Sequence, residues 1–466
     1  MASHDSDTRP SHRGRVTGRL AGFLDIDLRR RAVNVGHLLS GTGVTGALAI
    51  FGAGLTAHAL GATDYGLMAL VMSYGRVFDR LMRFESWQPL IKYAAQPVPE
   101  EERAAYLRTL FAFGLSLDLG ACFAAAVTSI ALALVAAPLF GLRDAHMWLV
   151  VINAAALLFN VNGMPTAVLR LSGRFSTIAY VQVSAGVMRI LLCMIGAWTG
   201  SGLLFFITAW TVSQIFGSLL FVAIALFELH KQGLANLLSV PLRGITHRFP
   251  GIMGFAWSSS LSISIRASSM EFDVLVVGAL CNPAAAGLYA IAKQVAKAVQ
   301  QLCGQVQAVL YPDLTRLWSQ GAVTAAMRAV TQVQWVLDAF AISVIAAIAV
   351  GGRTMLHLVA GPEFADAYPL LVVQMVALAL TMHAAPLRSA LLAMGEQRAV
   401  LHIVLWTTVV FQVLLVSLTS LGGPVGANCA HVGLALLNAL AMEWVTRRRF
   451  RHSLAEAAEG RPTTKS

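Results

Sequence analysis

The run YGRVFDRLMRFESWQ, which spans residues 74–88, places three arginines in a strongly apolar part of the chain. At about 100° per residue of an α-helix, Arg76, Arg80 and Arg83 fall within about 60° of arc, and Asp79 shares their face. A guanidinium group can bind two oxygens of a phosphate at once. This spacing therefore predicts a cationic surface that recognises an anionic ligand.

Similar faces occur in two later apolar stretches. One helical face is predicted to carry Lys293, Lys297, Gln300 and Gly304. A second face is predicted to carry Ser259, Ser262, Arg266 and Asp273, with Glu271 lying off it. In the first run, Trp87 is expected to join the face of the arginines and Glu85 to point the other way.

Burial of these charges in lipid is excluded by its cost. Each Arg at the centre of a bilayer costs about 2.5–3.5 kcal/mol, whereas a Leu offsets only about 0.3–0.6 kcal/mol. The charges must therefore face water, protein or each other. One interpretation is that they only pair and hold helices together, and the i, i+4 spacing of Asp79 and Arg83 favours this for that pair. Cations outnumber acids on these faces, however, so pairing alone leaves a surplus of positive charge.

The surplus predicts a cationic cavity that binds substrate. Its candidate binding residues are Arg76, Arg80, Arg83, Arg266, Lys293 and Lys297. Four isolated ionisable residues lie in other apolar stretches, and we expect most of them to be satisfied packing residues rather than proton-relay groups: Asp118, Arg189, Asp338 and His383. No metal site is predicted, because the five cysteines are scattered and form no CxxC pair. No catalytic residue is predicted either.

The composition identifies the elements that must position these residues. Of the 466 residues, 57% are hydrophobic and only 12% are charged, against about 25% in soluble domains. The mean hydropathy of +0.68 agrees. The apolar runs are continuous and long, and a bilayer requires about 20 helical residues per crossing. The chain is therefore predicted to be an all-α polytopic membrane protein rather than a barrel with strands of about 10 alternating residues.

Twelve candidate spans follow, at roughly 37–60, 66–90, 107–137, 146–168, 176–198, 203–228, 251–279, 286–311, 325–350, 367–393, 399–420 and 425–446. A connector near the middle divides them into two sets of six. The predicted organisation is a basic cytoplasmic tail, a six-helix lobe, a cytoplasmic linker, a second six-helix lobe and a basic cytoplasmic tail, at residues 1–35, 36–230, 231–250, 251–446 and 447–466.

The orientation follows from the distribution of Lys and Arg. With the N-terminus in the cytoplasm, the outside connectors hold only Arg143 and Arg353, and the remaining basic connector residues lie inside. The first 35 residues are polar and basic and show no signal-peptide pattern. We therefore expect both termini in the cytoplasm. The net charge of +11 indicates contact with anionic lipid rather than nucleic acid.

Several residues recur at one offset in the two halves. Gly66 and Gly287 are 221 residues apart, as are Pro165 and Pro386, and Gly173 and Gly395 are 222 apart. Arg76 and Lys297 are also 221 apart. The pattern predicts a duplicated six-helix unit whose halves run in the same direction. The alternative is coincidence among glycine-rich apolar segments.

A cofactor is not predicted. The run GTGVTG, at residues 41–46, matches the GxGxxG pattern of dinucleotide sites, but it continues straight into an apolar helix instead of following a strand. The small residues are better explained by close packing of helices.

Several segments together resemble a known family. LGATDYGLMAL with RFESWQPLIKYAAQ, DVLVVGALCNPAAAGLYAIAKQVAKA leading to LYPDLTRLW, and AGPEFADAYPLLVV are similar to the polysaccharide-transport branch of the multidrug/oligosaccharidyl-lipid/polysaccharide (MOP) superfamily. These are the Wzx-like O-antigen flippases, which also serve lipopolysaccharide and exopolysaccharide synthesis. The resemblance covers roughly residues 35–446. It implies a MATE-like fold of twelve helices in two lobes around a central cationic cavity.

The resemblance also implies a function. The expected activity is ion-coupled movement of undecaprenyl-pyrophosphate-linked oligosaccharide across the cell inner membrane by alternating access. Membrane lipid, a polysaccharide polymerase and export machinery are further candidate partners. Asp79, Glu271 and Asp273 are candidates for ion coupling, because an acid beside cations can exchange partners as a cavity opens.

Two other functions remain open at this point. A multidrug or small-solute antiporter of the same superfamily would need acids to hold cationic drugs, and here base is in excess. A membrane glycan polymerase or glycosyltransferase usually carries a large outside loop, whereas the outside connectors here are predicted to be short.

Overall fold

The computed structural model describes the backbone of residues 12–140, 146–234, 236–241 and 245–458, and within these ranges it contains helices and no strands. Side chains are described from residue 43 onward, except for short stretches; the side chains of Ser259, Ser262 and Arg266 lie outside the described set. Helices dominate because a helix satisfies its own backbone groups inside lipid.

Thirteen α-helices lie in the described ranges. They are α1 His12–Met82, α2 Trp87–Ala94, α3 Glu100–Leu139, α4 Met147–Leu158, α5 Gly163–Leu171, α6 Phe175–Trp198, α7 Leu203–Lys231, α8 Ile245–Arg248, α9 Ile252–Leu280, α10 Pro283–Ser319, α11 Val323–Ala360, α12 Tyr368–Ala393 and α13 Gln397–Ala458. Short 3₁₀ helices at Leu237–Ser239 and Pro362–Ala367 complete the set.

The helices account for the twelve predicted crossings. Eight described helical stretches are long and apolar enough to cross a membrane, and two of them, Gly43–Ala94 and Gln397–Ala455, are long enough for two crossings each. Both are bent at a glycine in an unusual backbone conformation, Gly61 (φ 72°) and Gly423 (φ 59°). The helices α9 and α10, of 29 and 37 residues, carry charged residues of the site and are long enough for the other two crossings. The polytopic all-α fold is confirmed.

Helix boundaries repeat at the offset seen in the sequence. The helix α4 begins at Met147 and α12 at Tyr368, which is 221 residues later. The helix α6 begins at Phe175 and α13 at Gln397, which is 222 residues later. Glycines with positive φ, Gly173 and Gly395, precede both α6 and α13. The repeated landmarks thus occupy equivalent places in the two halves.

The equivalent glycines of the two halves contact each other. A Cβ atom on Gly66 of α1 would lie 1.7 Å from the carbonyl oxygen of Pro283 and 3.1 Å from the backbone nitrogen of Gly287 in α10. A Cβ on Gly287 would lie 2.4 Å from the carbonyl oxygen of Ala62. Only glycine permits this approach. The backbones of α1 and α10 therefore touch where the two lobes meet.

Two predicted spans differ from the structure. The span predicted at 66–90 ends as a helix at Met82, and α2 starts separately at Trp87. Trp87 therefore does not extend the helical face of the arginines, and Glu85 lies in the connection, where its carboxylate accepts a hydrogen bond from Trp87 Nε1 at 2.7 Å. The span predicted at 146–168 is also interrupted, between α4 and α5. The helical wheel assumed an unbroken helix through both places.

The lobe and tail boundaries at 1–35, 36–230, 231–250, 251–446 and 447–466 stay predictions, as does the cytoplasmic location of both ends. Residues 1–11, 141–145, 235, 242–244 and 459–466 fall outside the described ranges, and Arg143 of the predicted outside connectors is among them.

Candidate functional site

One buried carboxylate connects the two lobes. Glu271 of α9 is 7% exposed. Its Oε2 accepts from Arg76 Nε of α1 at 2.8 Å, and its Oε1 accepts from Lys297 Nζ of α10 at 3.4 Å. Ser73 Oγ accepts a further hydrogen bond from Arg76 Nη2. Since Arg76 and Lys297 are equivalent positions of the repeat, cations from both halves share this one acid.

The helical wheel separated Glu271 from Asp273, and in the structure the two acids bind different partners. It placed Glu271 off the polar face of its span and grouped Asp273 with Ser259, Ser262 and Arg266. In the structure α9 packs against α1 as well as against α10 and α13, so it has polar neighbours in more than one direction. Glu271 and Asp273 are two residues apart and bind different partners. A prediction that assigns one polar face to α9 therefore cannot describe its contacts.

Asp273 is fully buried and lies at the centre of a second cluster. Its Oδ1 accepts from Lys293 Nζ at 2.7 Å, and its Oδ2 accepts from Tyr289 OH at 2.7 Å. His431 Nε2 of α13 lies 2.8 Å from the same Oδ2. Asp273 has 0% exposure, so it lies behind Lys293 and His431 rather than on the wall of a cavity.

A cavity of about 210 Å³ borders both clusters. Glu271, Lys293, Lys297 and His431 line it together with polar side chains of α10, α12 and α13. These further side chains are Gln300, Gln374, Thr381, Thr407, Thr408 and Asn438. The predicted face of α10 is thus brought to one cavity, except for Gly304, which is not among the lining residues. Its lining offers ammonium, amide and hydroxyl donors.

Asp79 and Arg83 form the ion pair that their spacing indicated. Arg83 Nη2 lies 2.5 Å from Asp79 Oδ2, and Asn160 Nδ2 donates to the other carboxylate oxygen at 2.8 Å. Asn160 lies in the break between α4 and α5. This pair belongs to the N-terminal lobe alone and stands apart from the Glu271 and Asp273 clusters.

Arg80 lines a different cavity, of about 480 Å³, within the N-terminal lobe. Among the residues that the structure describes, Arg80 has no ion-pair partner. The side chain of Arg266 is outside the described set, so its predicted place in the cationic cavity stays a prediction. The structure therefore distributes the predicted residues over two lobes and several clusters.

Three of the four isolated ionisable residues have polar partners in the structure, and Arg189 forms no ion pair with a described residue. His383 Nδ1 lies 3.0 Å from Asp338 Oδ2. These two residues, which looked isolated in the sequence, therefore form a pair between α11 and α12. Asp118 accepts from Ser86 Oγ and from the backbone nitrogen of Met164. These contacts support their reading as satisfied residues.

Sequence reasoning missed Tyr289, His431, Ser73 and Asn160. The only available signal was a lone histidine or tyrosine inside an apolar span. No group of three or more His, Cys, Asp or Glu side chains suited to a metal ion occurs in the described part of the chain.

Comparison with known proteins gives the family. A family model described as polysaccharide biosynthesis protein matches residues 56–369, a range that contains both ion-pair clusters except for His431. The chain belongs to the polysaccharide biosynthesis protein family. The chain is 25% identical to Inner membrane protein YghQ of Escherichia coli (strain K12) over 314 residues, which cover 66% of this chain and 86% of the relative.

Solved structures give the superfamily fold. The fold is similar to that of Lipid II flippase MurJ in an inward closed conformation, with a TM-score of 0.70 and 13% identity over 90% of this chain and 91% of that one. It is also similar to an inward-facing multidrug resistance MATE family transporter of the MOP superfamily, with a TM-score of 0.61 and 16% identity over 90% and 96%. The predicted resemblance is confirmed, and the fold is that of MOP transporters rather than of an enzyme.

Proposed function

We propose that this protein is a flippase that moves undecaprenyl-pyrophosphate-linked oligosaccharide repeat units across the inner membrane for surface polysaccharide synthesis. Membership of the polysaccharide biosynthesis protein family supports the pathway, and the fold shared with a lipid II flippase supports the kind of cargo. The name of the relative YghQ supports the inner membrane as the location. Both termini would face the cytoplasm.

An imbalance of charge inside the membrane part carries the proposal. Among the predicted site residues whose side chains the structure describes, five cations accompany three carboxylates: Arg76, Arg80, Arg83, Lys293 and Lys297 with Asp79, Glu271 and Asp273. Glu271 pairs with two cations, and Arg80 forms no ion pair with a described residue. Unpaired charge in a membrane is costly, so this surplus favours an anionic ligand such as a diphosphate.

The shared carboxylate also supports a mechanism. Arg76 belongs to the N-terminal lobe, whereas Glu271 and Lys297 belong to the C-terminal lobe. If the lobes rock against each other, the Arg76–Glu271 pair must break on one side of the cycle. An entering diphosphate would then replace Glu271 as the partner of Arg76. The polyprenyl tail would stay in lipid while the head group crosses.

Ion coupling is assigned to the acids. Glu271 and Asp79 each border a cavity and form ion pairs, so protonation or binding of a cation would release Arg76 or Arg83. Asp273 is fully buried, and its role would be to set the positions of Lys293 and His431 in the cavity wall.

The test deletes the gene in its host and then restores it with genes that encode variants of the protein. Arg76→Ala and Arg80→Ala should each abolish export of surface polysaccharide while the protein still inserts in the membrane. Arg353→Ala is the matched control, because Arg353 is an exposed residue of α11 that lines none of the described cavities. Normal export by both variants would refute the assignment of the cationic residues. Changed drug or solute sensitivity with unchanged glycan would instead favour an antiporter.

A further inference from the structure

A second cavity lies inside the N-terminal lobe and is separate from the Glu271 and Asp273 clusters. Its volume is about 480 Å³, against about 210 Å³ for the cavity beside Glu271. The helices α6 and α7 form most of its lining, and Arg80 of α1 and Asn162 at the start of α5 complete it. Pockets of about 300–1,000 Å³ are typical of small-molecule sites.

Arg189 of α6 is held in this cavity by an aromatic ring. Its guanidinium carbon lies 4.5 Å from the centre of the Trp210 ring. Trp210 Nε1 in turn donates to Thr56 Oγ1 at 3.3 Å, which fixes the ring on α7. Stacking engages the face of a guanidinium group and leaves its N–H donors free to bind in-plane acceptors. The Nε atom of Arg189 is buried and has no hydrogen-bond partner in the described part of the chain.

The cavity contains positive charge without compensation. Arg80 and Arg189 both line it, and no Asp or Glu occurs among its described lining residues. Neither arginine forms an ion pair with a described residue. A buried donor without an acceptor costs free energy, and an unpaired charge within a membrane protein costs more. An anion that enters from outside the protein would supply the missing acceptor.

The rest of the lining is suited to hydroxyl groups. Gln182 and Gln214 are exposed amides on α6 and α7, and Ser213 and Ser218 add hydroxyl groups on α7. Amide and hydroxyl side chains both donate and accept hydrogen bonds, as the hydroxyl groups of a sugar do. A diphosphate offers acceptors only and would leave the acceptor atoms of these side chains unused.

We propose that this cavity is a glycan subsite that binds an acidic sugar, with the sugar carboxylate on Arg80 and Arg189 and the ring hydroxyl groups on Gln182, Gln214 and Asn162. The inference rests on the proposed function, because it takes the sugar to be part of the lipid-linked cargo. It names the class of glycan that the protein accepts: one with a carboxylated residue near the lipid diphosphate.

The test measures binding of soluble probes to the purified full-length protein in lipid nanodiscs. The probes are a tetrasaccharide of alternating glucuronate and N-acetylglucosamine, a neutral tetrasaccharide of N-acetylglucosamine, and inorganic pyrophosphate. Saturation-transfer NMR competition gives their relative affinities. We expect the acidic probe to bind at least tenfold more tightly than the neutral one, and pyrophosphate not to displace it at equal concentration.

Variants locate the binding in the cavity. Arg189→Gln should weaken the acidic probe at least tenfold and leave the neutral probe unchanged, because it removes the charged fork. Arg353→Gln on the exposed face of α11 is the matched control and should bind as the unmodified protein does. Gln214→Ala is a second variant at an exposed position, which folding tolerates, and it should weaken both sugars.

Two results would overturn the inference directly: equal affinity for the acidic and neutral probes, or unchanged affinity for the acidic probe in Arg189→Gln. A third result is displacement of the acidic probe by pyrophosphate that is lost in Arg189→Gln. That result would identify the cavity as a diphosphate site. These outcomes are distinct from failure of the proposed function. A deletion strain with normal glycan export would refute the flippase, and the binding result with purified protein would still stand.

Discussion

Glu271 accepts hydrogen bonds from Arg76 and Lys297, which hold equivalent positions in the two halves of the chain. Removing one partner of a buried ion pair leaves an uncompensated charge and typically costs about 3–5 kcal/mol, whereas exposed pairs contribute about 0–1 kcal/mol. At the residue scale, loss of Glu271 should therefore leave two cations, one from each half, without their shared acid.

Replacing Glu271 by Gln tests this directly. The variant keeps the shape of the side chain but leaves two cations without a carboxylate, so we expect a lower midpoint of thermal unfolding in detergent and loss of glycan export. Asp313→Asn is the matched control, because Asp313 pairs with Arg316 at 3.8 Å on the surface, where both side chains are more than half exposed. Equal midpoints for the two variants would contradict the role of Glu271.

Variants of the Asp273 cluster distinguish a structural role of these residues from a role in transport. Asp273→Asn leaves Lys293 nearly buried without its carboxylate, and we expect the free energy of unfolding to fall by about 3–5 kcal/mol. The double variant Asp273→Asn/Lys293→Met removes both charges and should recover most of that stability. Export should stay lost in the double variant if Asp273 and Lys293 take part in transport. Normal export by a stable double variant would reduce the cluster to a structural role.

Residue types and spacing predicted the Asp79–Arg83 pair and the cationic residues on α10. They did not predict Tyr289 and His431, which reach Asp273 from two other helices. Contacts of this kind depend on tertiary packing, and a helical wheel of one span contains no information about its neighbours.

At the scale of elements, two motifs singled out in the sequence meet between the lobes. The backbone nitrogen of Ala62, next to the bend at Gly61, donates to Glu363 Oε2 at 2.7 Å. The ring of Tyr65 packs edge-on against Phe364, with centroids 5.6 Å apart. The motifs LGATDYGLMAL and AGPEFADAYPLLVV thus form one contact beside the Gly66–Gly287 crossing. Both motifs were visible in the sequence, but their contact was not.

Gly66→Ala should force α1 and α10 apart, because the added Cβ would lie 1.7 Å from a backbone oxygen that cannot move away cheaply. We expect loss of export and faster reaction of a thiol reagent with a cysteine placed at Ala62 in a cysteine-free background. Gly351→Ala in α11 is the control, because its Cβ would meet nothing within 4 Å. Unchanged labelling and export in Gly66→Ala would show that the close approach of α1 and α10 at Gly66 is not required for transport.

At the scale of the whole molecule, composition and periodicity were sufficient for the number of crossings and for the duplication. Continuous apolar runs leave little choice but helices in lipid. The breaks at Met82 and between α4 and α5 were not predicted, because the interruption is stabilised by tertiary contacts such as that of Asp118 with Met164.

The whole-molecule arrangement accounts for a flippase in simple physical terms. Helices from the two halves of the chain share one carboxylate, and cationic side chains line one cavity beside it and a second cavity formed mostly by α6 and α7. A polar, anionic head group could enter these cavities while an apolar tail remains in lipid.

The most direct test is the leaflet location of lipid-linked repeat units after deletion of the gene. Spheroplasts of the deletion strain and of the restored strain would be treated with a glycosidase that cannot cross the membrane, and the lipid-linked oligosaccharide would then be extracted and measured. Intact repeat units that accumulate and resist the enzyme in the deletion strain, but not in the restored strain, are the predicted result. Repeat units that are cleaved equally in both strains reach the outer leaflet without this protein, and that result would contradict the account.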